Sequence, residues 1–168
     1  MRRTRLAFAI AAAFTFAGAG TAAAQTGNVN ATATVLTPLT VTPVSDLAFG
    51  NVYPGVAKTI AYTDATNGGK FSIAGYNAAQ VNLTFTLPTN LSDGTNLLPI
   101  GTWTGYYNTT NSAASGGSTF TPAAAATTTN LAAGALYVFV GATVTPAGNQ
   151  VAGSYTGRVT MTVAYTGL

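Results

Sequence analysis

The sequence predicts an all-β fold, and three observations support that prediction. Apolar and polar residues alternate along several short segments, which is the two-residue period of a half-buried strand. After the first 24 residues, no long segment shows the 3.6-residue apolar period of a helix. Turn signals rich in Gly, Pro, Asn and Asp separate the alternating segments. At this length, many short strands with regular turns indicate an immunoglobulin-like (Ig-like) antiparallel β-sandwich.

Residues 1–24 have the pattern of a secretory signal peptide. Three arginines among the first five residues form a basic head, an apolar run follows, and Ala22–Ala24 supplies a small-x-small cleavage site before Gln25. The apolar run is shorter than the roughly 20 residues that a membrane-spanning helix needs. We therefore expect an exported protein of residues 25–168, with no membrane span in the mature chain.

The predicted mature chain has few reactive side chains. It contains no Cys, His or Glu, and three of the six cations lie in the leader, so three cations and three aspartates leave it neutral. A neutral surface has no basic patch for nucleic acid. Without cysteine, the domain depends on its apolar core alone. Such low charge also gives weak protection against self-association.

The residue types exclude most catalytic and metal sites. A nucleophilic catalytic triad needs a histidine, and a zinc site needs His or Cys ligands, but the chain contains neither residue type. Asp46, Asp64 and Asp93 lie in turn-like contexts, where aspartate usually binds its own backbone. Calcium near Asp64 or Asp93 is the alternative, but no EF-hand loop pattern is present. We expect no catalytic residue, no metal, no cofactor and no enzymatic activity.

The predicted strands differ in how strongly the sequence supports them. The following segments are expected as strands in chain order: 39–44, 47–52, 56–62, 70–74, 81–87, 98–107, 135–144 and 155–165. Segment 135–144 is a dense apolar run, as expected for a strand covered on both faces. Trp103, Tyr106 and Tyr107 are expected in the core, with an exposed sugar platform as the alternative. The low-complexity stretch 108–134 predicts a long, mobile surface loop.

The terminal strand, 155–165, has the longest clean alternation. We expect it to pair centrally and to be indispensable for folding. One face is expected to form core or interface contacts, and it carries Tyr155, Val159, Met161, Val163 and Tyr165.

A further alternation precedes the predicted sandwich domain, which spans residues 37–168. Within the N-terminal extension 25–36, one face carries Val29, Ala31, Ala33 and Val35. This segment is either the first strand of its own domain or a donor strand that completes a neighbour's sheet by β-augmentation.

Both ends of the chain resemble bacterial fimbrial subunits. Segments 39–41 and 47–52 resemble the L-x-F-G opening of spore-coat-protein-U-like subunits, and 152–165 looks like their G-x-Y-x-x-x-V-x-V-x-V-x-Y terminal strand. The overall arrangement is most similar to the DUF4402 family of secreted bacterial proteins. The chain departs from such pilins in having no cysteine pair and in the small Ala31 and Ala33 of its extension.

The resemblance implies a structural subunit of a fimbria-like surface fibre. Such a subunit crosses the periplasm with a chaperone and an usher, and it reaches the cell surface or the extracellular space. It lacks one strand, which the N-terminal extension of the next subunit supplies, so its partners are other copies or related fimbrial subunits. The alternative is a stand-alone secreted β-sandwich that acts as a binding or adhesion module.

Overall fold

The computed structural model describes residues 24–166, and these form an all-β, antiparallel, sandwich-like fold as predicted. The predicted leader lies outside the described residues except for Ala24. The chain divides into two units, Met1–Thr34 and Val35–Leu168. Residues 24–34 of the first unit are exposed and form no strand. Within the described range, no helix is long and apolar enough to cross a membrane.

Ten strands form two sheets within residues 35–166. Their bounds are β1 Thr40–Ser45, β2 Lys58–Ile60, β3 Gly69–Ala74, β4 Gln80–Thr86, β5 Asn90–Ser92, β6 Leu97–Asn108, β7 Ser118–Phe120, β8 Thr127–Asn130, β9 Ala135–Val144 and β10 Thr160–Tyr165. The larger sheet has the order β1-β3-β9-β6-β5, with β2 on β9 and β7 on β6. The smaller sheet has the order β10-β4-β8.

Strand β9 is the centre of the larger sheet. It pairs with β3 along Ala135–Val140 and with β6 on its other side, so both backbone edges are used. The dense apolar run of β9 therefore matches a strand that the fold covers, because seven of its ten residues are buried and the other three are half-buried.

The main core lies between the two sheets. The large sheet contributes Ile73, Leu136, Val138 and Val140, and the small sheet contributes Val81, Leu83, Phe85 and Met161. A second cluster lies at the far end of β9, where Ala142 and Val144 pack against Phe49, Ile60, Leu98 and Ile100. Trp103 packs against both clusters, which agrees with the predicted core role of the β6 aromatic residues.

Two predicted elements are wrong. Residues 47–52 form no strand, although Phe49 is buried in the second cluster. Gly50 follows it with a φ of 58°, which breaks the extended backbone. The stretch 108–134 is not one long loop, since it contains β7 and β8. Strand β8 is rich in Thr, whose branched side chain favours strands.

The terminal strand also differs from its prediction. It begins at Thr160 rather than at Tyr155, and it pairs only with β4 at the edge of the smaller sheet. Alternation reports which side chains face the core, but it does not report whether both backbone edges have partners. The predicted central position of this strand is therefore wrong.

Candidate functional site

An open groove of about 1260 Å³ runs along one side of the sandwich. Its lining includes Val41 and Pro43 of β1 and the segment 157–161 that leads into β10. The lining is a mixture of polar and apolar groups. Its apolar residues include Phe49, Phe71, Leu98, Ile100, Val140 and Met161.

The groove lies between two sheet edges. Within residues 24–166, β1 and β10 each have a hydrogen-bonded strand on one side only. Such an edge presents unpaired backbone N–H and C=O groups to an added strand. The edge of β1 is interrupted by Pro43, which has no N–H, and by a register shift between Pro43 and Ser45. Strand β10 contains no proline and pairs with β4 in unbroken register, so it offers the more regular edge.

The residues predicted on the terminal strand divide between the two core clusters. Met161 is buried in the main cluster, and Val159, Val163 and Tyr165 are half-buried against it. Tyr155 lies before the strand and packs against the second cluster. Its hydroxyl donates to the Val151 carbonyl at 2.7 Å.

The residues predicted as a donor face are all exposed. Val29 is 95% and Val35 is 91% exposed, and Ala31 and Ala33 are also in the exposed class. No strand includes any of these four residues. Two valines with almost their full surface in water are unusual for a chain segment that belongs to a core.

The Tyr165 hydroxyl fixes the beginning of the domain to the end of β10. It donates to the Thr37 carbonyl at 2.6 Å and accepts from the Tyr76 backbone N–H at 2.7 Å. The point at which the chain enters β1 is therefore held beside the last residue of β10. This double contact was not predicted, because the sequence pattern assigns Tyr165 only to an apolar face.

A second, smaller cavity of about 470 Å³ lies on another part of the domain. Its lining includes the aromatic residues Tyr62 and Phe139, and Ser45 is the one residue that it shares with the groove. Its polar lining includes Asp64, Lys70, Asn111 and Ser112. The sequence missed this cavity because its walls come from segments far apart in the chain.

Asp64 and Asp93 bind their own turns, as the sequence predicts. The Asp64 carboxylate accepts from the backbone N–H groups of Thr66 and Asn67, both at 3.0 Å. Asp93 accepts in the same way from Thr95 and Asn96 at 2.9 and 2.6 Å.

In each turn, the side-chain amide of the asparagine also donates to the aspartate. That amide, followed by the backbone donors, lowers the pKa of both carboxyl groups below the ordinary value of 3.8. Among residues 24–166, no group of three His, Cys, Asp or Glu residues is placed to hold a metal ion.

Comparison of the chain with protein families, with curated proteins and with solved structures finds no match.

Proposed function

We propose that this protein is a structural subunit of a fimbria-like surface fibre and that it assembles by β-strand donation. The observation that carries the proposal is the groove between β1 and β10, where half-buried apolar residues such as Val41, Phe71 and Val159 lie between two sheet edges. An inserted strand would cover these side chains and pair with a free edge at the same time. This is the β-augmentation mode of recognition.

The proposed donor is the N-terminal segment 28–35 of another copy. Its eight residues would extend over about 26 Å as a strand, and the six residues of β10 span about 20 Å. Its alternation would direct Val29, Ala31, Ala33 and Val35 to one face. The two alanines bury less apolar area than bulkier residues would, so the valines at the ends supply most of the expected hydrophobic gain.

The donor is expected to pair with β10 rather than with β1. Pro43 and the register shift interrupt the β1 edge, whereas β10 has a regular edge over Thr160–Tyr165. The exposed side chains of Thr160, Thr162 and Ala164 alternate with those directed at the core, so they do not block an added strand. A donor beside β10 would place its apolar face over Met161 and the other apolar residues of the groove.

The proposed partners and location follow from the same assembly. The subunit would pass through the periplasm with a chaperone that protects the open groove and an usher that exports it, and the fibre would stand on the cell surface. The stand-alone binding or adhesion module is the second candidate. The smaller cavity beside Lys70 favours that function, because the module needs a ligand site but no free sheet edge.

A variant lacking residues 25–36 tests strand donation. We expect this variant to remain folded and monomeric, whereas the exported protein assembles into oligomers during analytical ultracentrifugation. A synthetic peptide of residues 25–36 should bind the variant and raise its melting temperature. A peptide at 100 times its Kd would add about 2.7 kcal/mol to the free energy of unfolding.

The matched control is the same peptide with one residue inserted at Ala33. The insertion sends the residues beyond it to the opposite face, so the control peptide should bind much more weakly. The proposal fails if the exported protein stays monomeric at high concentration while amides 28–35 are protected from hydrogen exchange. That result would assign the segment to its own domain and favour the stand-alone module.

A further inference from the structure

The smaller cavity has the size and the mixed lining of a small-molecule site. Its volume of about 470 Å³ falls within the range of roughly 300 to 1,000 Å³ that is typical of such sites. Aromatic, acidic, basic, amide and hydroxyl residues all contribute to its lining. Strand donation at the groove uses none of these groups.

The first wall of the cavity is the turn that contains Asp64. The backbone also closes this turn, because the Gly68 N–H donates to the Asp64 carbonyl at 2.9 Å and the Asp64 N–H donates to the Ala61 carbonyl at 3.0 Å. The Asn67 side chain donates to the second carboxylate oxygen at 3.0 Å. These contacts hold the pKa of Asp64 below its ordinary value, so the carboxylate is an ionised acceptor at neutral pH.

A second part of the lining is the loop around Asn111, which contributes residues 111–114. Asn108 is only 2% exposed, and its amide donates to the carbonyls of Ser112 and Ser115 at 2.8 and 2.9 Å. Its side-chain oxygen accepts from the Thr110 N–H at 3.2 Å. A buried side chain with three such bonds fixes the loop before any ligand arrives.

The remaining lining residues combine apolar carbon with a cation. Phe139 is 8% exposed, and Tyr62 stacks on Tyr106 with ring centroids 5.4 Å apart and planes 2° from parallel. Lys70 projects from β3, and its ammonium donates to the Asn111 side-chain oxygen at 3.3 Å. Each polar group is held by a neighbour, which reduces the ordering cost of binding.

We infer that this cavity binds a neutral saccharide unit. A sugar ring presents hydroxyl groups, which can donate to the Asp64 carboxylate and accept from Lys70, and it presents C–H groups that can pack on the half-buried Tyr62 ring. The lining holds one acidic and one basic residue, so it has no net charge to select an ion of either sign. A neutral polyhydroxylated ring therefore fits the lining best.

The inference is tested with the exported protein and four probes: the methyl glycosides of glucose, galactose, mannose and N-acetylglucosamine. Each is titrated to about 10 mM while backbone amide shifts are followed by NMR, because a single small cavity is expected to give a Kd near 1 mM. We expect at least one glycoside to cause saturable shifts that centre on Lys70 and Asn111. The affinity for each methyl glycoside is compared with that for the unsubstituted sugar. Tighter binding of the glycoside would indicate a glycan chain end as the natural ligand, and tighter binding of the sugar would indicate a free monosaccharide.

Two lysine variants supply a matched pair. Lys70→Met keeps the aliphatic stem but removes the ammonium, and it should weaken glycoside binding at least ten-fold. Lys58→Met makes the same change at the chain's other lysine, which lies outside the cavity and donates to the Asn51 carbonyl, so binding should not change. If Lys70→Met does not fold, Asn111→Ala at an exposed loop position provides the same comparison.

The inference is overturned if none of the four glycosides shifts the cavity amides. It is also overturned if the folded cavity variant, Lys70→Met or Asn111→Ala, binds as well as Lys58→Met. Because saccharide binding in the smaller cavity does not require assembly, its failure leaves the proposed strand donation untouched. If the peptide experiment fails, strand donation is rejected, and saccharide binding is still decided by the glycoside titration.

Discussion

Strands β9 and β10 both direct apolar residues at the core but have opposite positions in the fold. Strand β9 has ten residues and partners on both sides, whereas β10 has six residues and pairs only with β4. Val138 in β9 is fully buried, while Val163 in β10 is half-buried beside the main core. The difference shows that an apolar pattern reports contact with the core, whereas the free backbone edge depends on which other strands are present.

The largest expected effect is that of a charge at the centre of β9. Val138→Asp places a carboxylate among the side chains of the main core, with no partner and no route to water. We expect a loss above about 4 kcal/mol, which is a large part of the 5 to 15 kcal/mol that stabilises a typical domain. Urea unfolding should show either no cooperative transition or one at a much lower midpoint.

Thr143→Asp is the control for that substitution. Thr143 also lies in β9, but it is half-buried and its hydroxyl contacts the exposed Thr59, so a carboxylate there can reach water. We expect the control to unfold within about 1 kcal/mol of the parent protein. Equal losses of unfolding free energy at Val138 and Thr143 would mean that β9 tolerates a charge on neither face. The difference in burial between the two residues would then not explain the result.

The same charge in β10 is expected to cost less. Val163→Asp can turn its carboxylate toward solvent, because the side chain is only half-buried and the strand is an edge. We expect a loss of about 1 to 2 kcal/mol in urea unfolding of the monomer. The exposed Thr162→Asp of the same strand serves as the control and should have little effect. A loss at Val163 as large as that at Val138 would restore the central, indispensable terminal strand that the sequence predicts.

Much of the sandwich could be predicted from local patterns. The segment 81–87 was predicted as a strand and is observed as Gln80–Thr86, and 135–144 is observed with the predicted bounds. Both segments pack their apolar residues into the main core, so pattern and packing agree. The turns at Asp64 and Asp93 were also predictable, because the contacts of an Asx turn are local.

The groove and the cavity were beyond prediction because both depend on distant segments. The groove exists because no described strand joins β1 to β10, and no local pattern encodes that gap. The cavity depends on Asn108, which one sequence cannot mark as buried, and on the approach of Lys70 to Asn111. Phe49 illustrates a different error. The alternation around it predicts a strand over 47–52, but a loop places this side chain in the second core cluster.

The smallest expected effect is a pH-dependent change in stability, which should act near β9 through one aspartate turn and near β10 through another. The Asp64 turn leads into β3, the neighbour of β9. The Asp93 turn follows Ser92, which pairs with Thr156 ahead of β10.

Both carboxyl groups have a folded pKa below the ordinary 3.8, because turn donors stabilise the ionised form. Their contributions to the free energy of unfolding are therefore complete above the unfolded pKa and are lost as the pH falls through the folded pKa. We expect unfolding free energy to change little between about pH 7 and 5 from this source and to decline below about pH 4.

Asp64→Asn and Asp93→Asn should each make the decline of unfolding free energy at acid pH shallower, because each removes one group that binds a proton on unfolding.

If β9 and β10 differ as the structure indicates, hydrogen exchange at acid pH should rise first in different places. Loss of the Asp93 contacts should expose amides near Thr156 and the start of β10, whereas loss of the Asp64 contacts should expose only the first residues of β3. The β9 amides should remain protected in both cases, because they exchange mainly through global unfolding. Early exchange of β9 in the Asp64→Asn variant would show that the centre of the large sheet depends on its turns, and it would remove the contrast between the two strands.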